Sequence, residues 1–186
     1  MPTRQWFGFG VNVFRPEWVA AIYVVATLGF LALAAWSDVA IRVIPDCACI
    51  GVAVAGLAHR AMAGVEAAVV SLGVALVVFA LLVVAHARGV IGGGDVKLAA
   101  AALLGFSPPG AVRFLMAVAL VGGGVAMVHL VLRRVPPRWL VLPAGGMIIR
   151  RVMAAEAWRV RRRGSLPYGV AIAGGGAWVV LTGFGG

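Results

Sequence analysis

The chain has 186 residues, 63% of them hydrophobic and 12% charged, with a mean hydropathy of +1.05. A soluble domain is about half apolar and about a quarter charged, and one core of this size could not hide the excess. A soluble fold is excluded, and so is a β-barrel, because the apolar runs are continuous and lack the alternation of barrel strands.

The composition specifies an all-α, polytopic integral membrane protein. At about 20 apolar residues per span, the chain holds about six transmembrane helices in a single domain over residues 1–186, with no room for a large domain outside the bilayer. The net charge of +10 and pI of 11.6 fit cytoplasmic loops that face anionic lipid. No recognition motif accompanies the charge, so nucleic acid is not an expected partner. Cys47 and Cys49, one residue apart in an apolar run, suggest neither a disulfide framework nor a zinc site. Neither a metal nor any other cofactor is expected.

The first predicted span is Trp18–Trp36. Its Ala32-Leu33-Ala34 resembles a signal-peptide cleavage site, but the run is longer than a signal core and further spans follow, so it is expected to be retained. The second begins at Pro45, which suits a first helical turn, and fades near His59-Arg60. The third runs from about Ala67 to Ala85. The fourth contains Val96–Phe106 and stops at the breaker Ser107-Pro108-Pro109-Gly110. Val112–Leu132 forms the fifth and about Tyr168–Leu181 the sixth. Between these last two lies the one sizeable polar segment, Arg133–Ser165.

With six spans, the loops after spans one, three and five share one side. They carry Arg42, Arg88, Lys97, Arg133, Arg134, Arg138, Arg150, Arg151, Arg159, Arg161, Arg162 and Arg163, against Arg4, Arg15, Arg60 and Arg113 on the other. The positive-inside rule then puts both termini outside and the long loop in the cytoplasm. In that loop Ile148, Ile149, Val152, Met153 and Trp158 alternate with arginines at helical spacing, which predicts an amphipathic helix on the membrane surface. Lipid anchoring is its simplest use; contact with a partner is the other.

Six acidic residues are few enough to take singly. Glu17, Glu66 and Glu156 are expected at the interface or in solvent, whereas Asp38, Asp46 and Asp95 lie at cytoplasmic span ends. Asp95 follows Gly92-Gly93-Gly94. A helix starting there and ending at Phe106 would cover only about 18 Å, against a hydrocarbon core of about 30 Å. Starting near Val90 lengthens it to about 26 Å, a workable span in a thinned bilayer, and sets Asp95 below the membrane surface. A carboxylate there is tolerated facing a cavity or a partner; pairing with Lys97 or an arginine is the plain structural alternative. Asp38, just beyond the first span, belongs to the same membrane side. Two facing carboxylates that share a proton can hydrolyse a peptide bond, one activating water while the other polarises the carbonyl. His59, His86 and His129 show no ligand spacing and suit helix packing.

Asp38-Val39-Ala40-Ile41-Arg42-Val43-Ile44-Pro45-Asp46 resembles the first signature of the prepilin leader peptidases. Gly92-Gly93-Gly94-Asp95-Val96-Lys97-Leu98 is similar to their Gly-x-Gly-Asp-x-Lys-Leu motif, and Pro167-Tyr168-Gly169-Val170-Ala171-Ile172-Ala173 to the opening of their last helix. The resemblance implies a membrane-embedded aspartyl endopeptidase that cuts basic leaders from prepilins or pseudopilins at the cytoplasmic face of the bacterial inner membrane. Asp38 and Asp95 match its catalytic pair. The short form looks like the type that serves Flp/Tad pili.

Gly92 and Gly94 are expected to admit an extended substrate backbone, since they lack Cβ, and Lys97 to stabilise an ionised aspartate or meet the headgroups. Asp46 stands where the family usually has Asn, and is expected either to cap the second helix or to join the carboxylate cluster, with capping the favoured role. Cys47 and Cys49 do not match the four-cysteine zinc site of the bifunctional relatives, so no N-methyltransferase activity is expected. Two other classes stay open: a non-catalytic assembly or transport protein, which would favour mid-membrane charges and repeats, and a presenilin-like protease, whose other Asp follows Tyr whereas Asp38 follows Ser37.

Overall fold

The protein's structure is a computed structural model that describes residues 17–134 and 168–183. These form six helices: α1 (Glu17–Ile41), α2 (Asp46–Met62), α3 (Val65–Ala87), α4 (Gly93–Leu103), α5 (Pro108–Arg134) and α6 (Tyr168–Leu181). Three carry apolar stretches long enough to cross a membrane, Val19–Ile41, Val65–Ala87 and Pro108–Val131, and α6 is a shorter apolar helix. The outward surface is itself apolar: Val25, Leu120 and Val65 are 70%, 75% and 79% exposed, a surface matched to lipid rather than water. The chain is an all-helical, polytopic membrane protein.

Helix α4 packs against α2, α3 and α6, while α1 packs on α2 and α6, and α5 on α6. Six of its eleven residues, including Leu98, Ala99, Ala101, Ala102 and Leu103, are buried. The expected fourth span from Val90 to Phe106 is therefore corrected. The helix begins at Gly93 and ends at Leu103, so eleven residues cover about 16 Å. Protein surrounds α4, so its length need not match the bilayer, and the non-helical backbone before it is tolerable where it lies in protein or lines a cavity. Alanines let the neighbouring helices approach closely. At its far end the Gly105 backbone meets Gly56 of α2 so tightly that a Cβ on Gly56 would lie 2.7 Å from Gly105 N.

Other boundaries move by five residues or fewer. Helix α1 continues past Trp36 to Ile41, so Asp38 lies in its last turn rather than beyond it. Pro45 is the N-cap of α2 in an extended conformation, and Asp46 is the first helical residue. Pro108 opens α5 instead of ending a helix, since its missing N–H costs nothing in a first turn. The predicted amphipathic helix in the arginine-rich loop lies outside the described residues.

The end of the bundle opposite Asp38 is tied by a buried polar cluster. Arg60 Nε donates to Ser71 Oγ at 2.9 Å, and Ser71 Oγ lies 2.9 Å from both Ala67 O and Phe106 O. The Tyr23 and His59 rings stack with centroids 4.0 Å apart. Arg60 and Ser71 thereby join α2, α3 and the turn after α4 without leaving a buried hydroxyl unsatisfied.

These contacts predict opposite outcomes for two glycines. Gly56→Ala should lower stability by about 1–3 kcal/mol through overpacking, because its Cβ meets backbone. Gly73→Ala, with nothing within 4 Å of the new methyl, should leave stability at or above wild type. Thermal unfolding of the two variants in detergent checks both.

Candidate active site

At the C-terminal end of α1 the backbone turns sharply. Arg42 N donates to Asp38 O at 3.1 Å, and Arg42 then takes a φ of 59°. This left-handed conformation commonly ends helices, though usually at glycine, and costs a non-glycine residue about 1–2 kcal/mol. The chain runs extended to Pro45 and re-enters helix at Asp46. On the other side, Gly89 at φ 73° reverses the chain after α3. His86 Nδ1 lies 2.8 Å from Ile91 O, bracing the segment before Gly92. Gly92 is the N-cap of α4, which puts Asp95 in its first turn.

The two turns enclose a cleft of about 540 Å³. All six residues singled out from the sequence line it: Asp38, Asp46, Gly92, Gly94, Asp95 and Lys97. An adjoining space of about 300 Å³ is lined by Asp38, Arg42, Asp95 and Tyr168 among others. Asp38 and Asp95, 57 positions apart in sequence, are close enough for their charges to interact, and Arg42 acts on Asp95 as well.

Each carboxylate rests against a glycine. Asp38 is 7% exposed, and its Oδ2 accepts a hydrogen bond from Gly169 N at 2.9 Å. Asp95 turns back toward the Gly92 backbone, in the third position from which an acid closes a capping box. A Cβ on Gly92 would lie 2.9 Å from Asp95 Oδ2. The other oxygen, Asp95 Oδ1, is buried with no hydrogen-bond partner among the described residues, and such an atom is costly to leave unpaired.

Three expectations are corrected. Lys97 does not pair with Asp95; its Nζ lies 3.0 Å from Asp46 Oδ1. Asp46 occupies the first turn of α2, where the dipole favours an acid, but no side chain caps that helix, and its carboxylate is engaged by Lys97 across the cleft rim. Gly94 is small because Ile44 packs on it, its absent Cβ falling 3.3 Å from Ile44 Cβ; that contact joins the loop after α1 to α4. Sequence reasoning gave no role to Gly169 or Tyr168, and none to Arg42 beyond its place in a motif. The i to i+4 spacing of Asp38 and Arg42 was the available signal for the last.

A separate groove of about 430 Å³ runs between α2, α3 and α4 and shares Asp46 and Lys97 with the cleft. Its walls are mainly hydrocarbon, whereas the cleft holds Asp38 and Asp95.

The Lys97–Asp46 pair is solvent-facing, at 58% and 69% side-chain exposure, and exposed pairs contribute little. Asp46→Asn should therefore keep wild-type turnover and thermal stability, with an unchanged pH–rate profile. A profile that moves would place Asp46 with Asp38 and Asp95.

Comparison with protein families matches residues 25–127 to the type IV leader peptidase family. The match takes in Asp38, Asp95 and more than half of the chain. Neither a comparison with curated proteins nor one with solved structures returns a match. With a membrane-spanning helical fold and a cleft that gathers both aspartate motifs, the chain belongs to the type IV leader peptidase family and is a membrane peptidase.

Proposed function

We propose that the chain is an aspartic endopeptidase in which Asp38 and Asp95 form the catalytic dyad. Its substrates are prepilins or pseudopilins, cut at the end of a short basic leader at the cytoplasmic face of the bacterial inner membrane. The observation that carries this reading is the meeting in one cleft of two carboxylates from distant helices, Asp38 buried and Asp95 half-buried, with Asp95 Oδ1 unpaired among the described residues. A purely structural role would leave both acids satisfied by fixed partners, as Lys97 satisfies Asp46.

The chemistry follows from two carboxyl groups that share one proton. The ionised member accepts a proton from water as the water oxygen bonds to the scissile carbonyl carbon. The protonated member donates to the carbonyl oxygen, giving a tetrahedral diol. Collapse of the diol breaks the C–N bond: the leaving nitrogen takes the proton now held by one carboxyl, and a diol hydroxyl gives its proton to the other carboxylate as the carbonyl re-forms. The products are a carboxylic acid on the leader and a free amine on the mature protein, and the dyad returns to its starting proton count.

A dyad at a helix-terminal cleft suits a cut just outside the hydrocarbon, where an extended backbone can reach it. The charge distribution of the loops supports a cytoplasmic cleft, with both termini outside.

Asp38→Asn and Asp95→Asn should each lower kcat for a purified prepilin in detergent by at least about 10²–10⁴-fold, with normal membrane insertion. The double variant should be no worse than either single one, because the two act as a unit. Near-normal turnover in either single variant would remove that residue from the dyad. Single-cysteine labelling should find position 150 in the cytoplasm and both termini outside; the reverse orientation would put the cleft on the wrong face for this substrate.

A further inference from the structure

Asp38 is badly placed by its own helix. It lies in the last turn of α1, where the dipole presents its negative end and disfavours a carboxylate. It is also nearly buried, so water cannot offset that penalty. Relief comes from another element. Gly169 is the second residue of α6, and its N–H, one of those with no acceptor inside the helix, donates to Asp38 Oδ2 at 2.9 Å. The positive end of the α6 dipole thus faces the acid that the negative end of α1 opposes.

Space at residue 169 is as restricted as the hydrogen bond is specific. A Cβ there would lie 2.8 Å from Asp38 Oδ2, 2.9 Å from its Cβ and 3.0 Å from its Cγ. Real Cβ atoms essentially never come this close to neighbours, and the crowding reaches Asp38 Cβ, which cannot swing aside like a side-chain tip. Gly169 is not among the glycines with positive φ, so the position requires glycine for room rather than for backbone freedom. The family match ends at residue 127 and does not include this helix.

We propose that Gly169 is a positioning residue of the active site: its N–H and its missing side chain let the start of α6 seat Asp38 opposite Asp95. The proposal rests on the dyad described above. Helix α6 is then a working part of the site rather than only a wall of the bundle. A side chain at 169 displaces Asp38 from its partner, and a displacement of about 1 Å can cost about 10²-fold in rate.

The hydrogen bond can be read without any assay of peptidase activity. The sequence holds one Tyr–Gly step, Tyr168-Gly169, since Tyr23 precedes Val24. Carbonyl-13C tyrosine combined with 15N glycine therefore isolates the Gly169 amide as one resonance in the full chain in detergent. Asp38→Asn should move that resonance strongly, whereas Asp46→Asn should not. In turnover, Gly169→Ala should lower kcat about 100-fold with little change in KM. Gly174→Ala, on the same helix but facing Val121 of α5, should keep wild-type kcat.

A Gly169 resonance that ignores Asp38→Asn overturns the proposal, as does wild-type kcat in Gly169→Ala. If Gly169→Ala does not fold, the resonance decides alone. An active Asp38→Asn enzyme would overturn the dyad itself. An inactive one with an unmoved resonance overturns only the role of Gly169.

Discussion

Two carboxylates held together at one end of an apolar bundle are the costliest feature of this molecule. Burial disfavours each charge, and proximity disfavours having both. Part of the answer is backbone placed at helix starts. Asp38 takes the Gly169 N–H at the start of α6, and Asp95 turns back toward the Gly92 backbone at the start of α4. Lys97, the cation nearest in sequence to Asp95, is instead engaged by Asp46.

This solution dictates the shape of the bundle around it. Helix N-termini must reach the cleft, so α4 and α6 both begin there, and a long α4 is not required. Eleven residues suffice because α2, α3 and α6 enclose it. Close enclosure in turn demands small residues. Alanines fill α4, Gly56 meets the backbone of Gly105, and Gly175 meets that of Val118. The polar cluster of Arg60, Ser71 and the Phe106 carbonyl then secures the opposite end of α4. One short helix is thereby fixed at both ends, its N-terminus presenting Asp95 and its C-terminus anchored.

Much of this was legible in the sequence, because hydropathy and breakers are local signals. The range Tyr168–Leu181 matched the helix found, and α3 differed from its expected limits by two residues at each end. The aspartates stood out because acids are rare in this chain and both adjoin turn-forming residues. The length of α4 was not legible. Apolar composition is the same whether a helix faces lipid or protein, so a short enclosed helix was extended on paper to meet the bilayer. Contacts between distant segments were equally hidden. Nothing near Lys97 announces that Asp46, 51 positions away, takes its charge, and nothing near Gly169 names Asp38. The two glycines that flank the acids looked suited to a substrate, whereas Gly94 is filled by Ile44 and Gly92 lies against Asp95.

The remaining asymmetry concerns where strain and rigidity lie. Asp95 belongs to a helix held on several sides, and the backbone it turns toward is three residues away, so its position is largely a local matter. Asp38 depends on a donor 131 residues later, and it is followed within one turn by Arg42 in a conformation unfavourable to any residue but glycine. Arg42 nevertheless keeps its side chain at the cleft, beside both acids. A glycine there would relax the backbone and remove a positive charge that acts on Asp95. The turn after α1 therefore accepts a local conformational cost to keep a cation near both acids. Correct spacing of the two carboxylates thus depends on the last helix being in place. A bundle that had assembled α1 to α5 alone would hold Asp95 in its helix and leave Asp38, at the unfavourable end of its own helix, without the Gly169 donor.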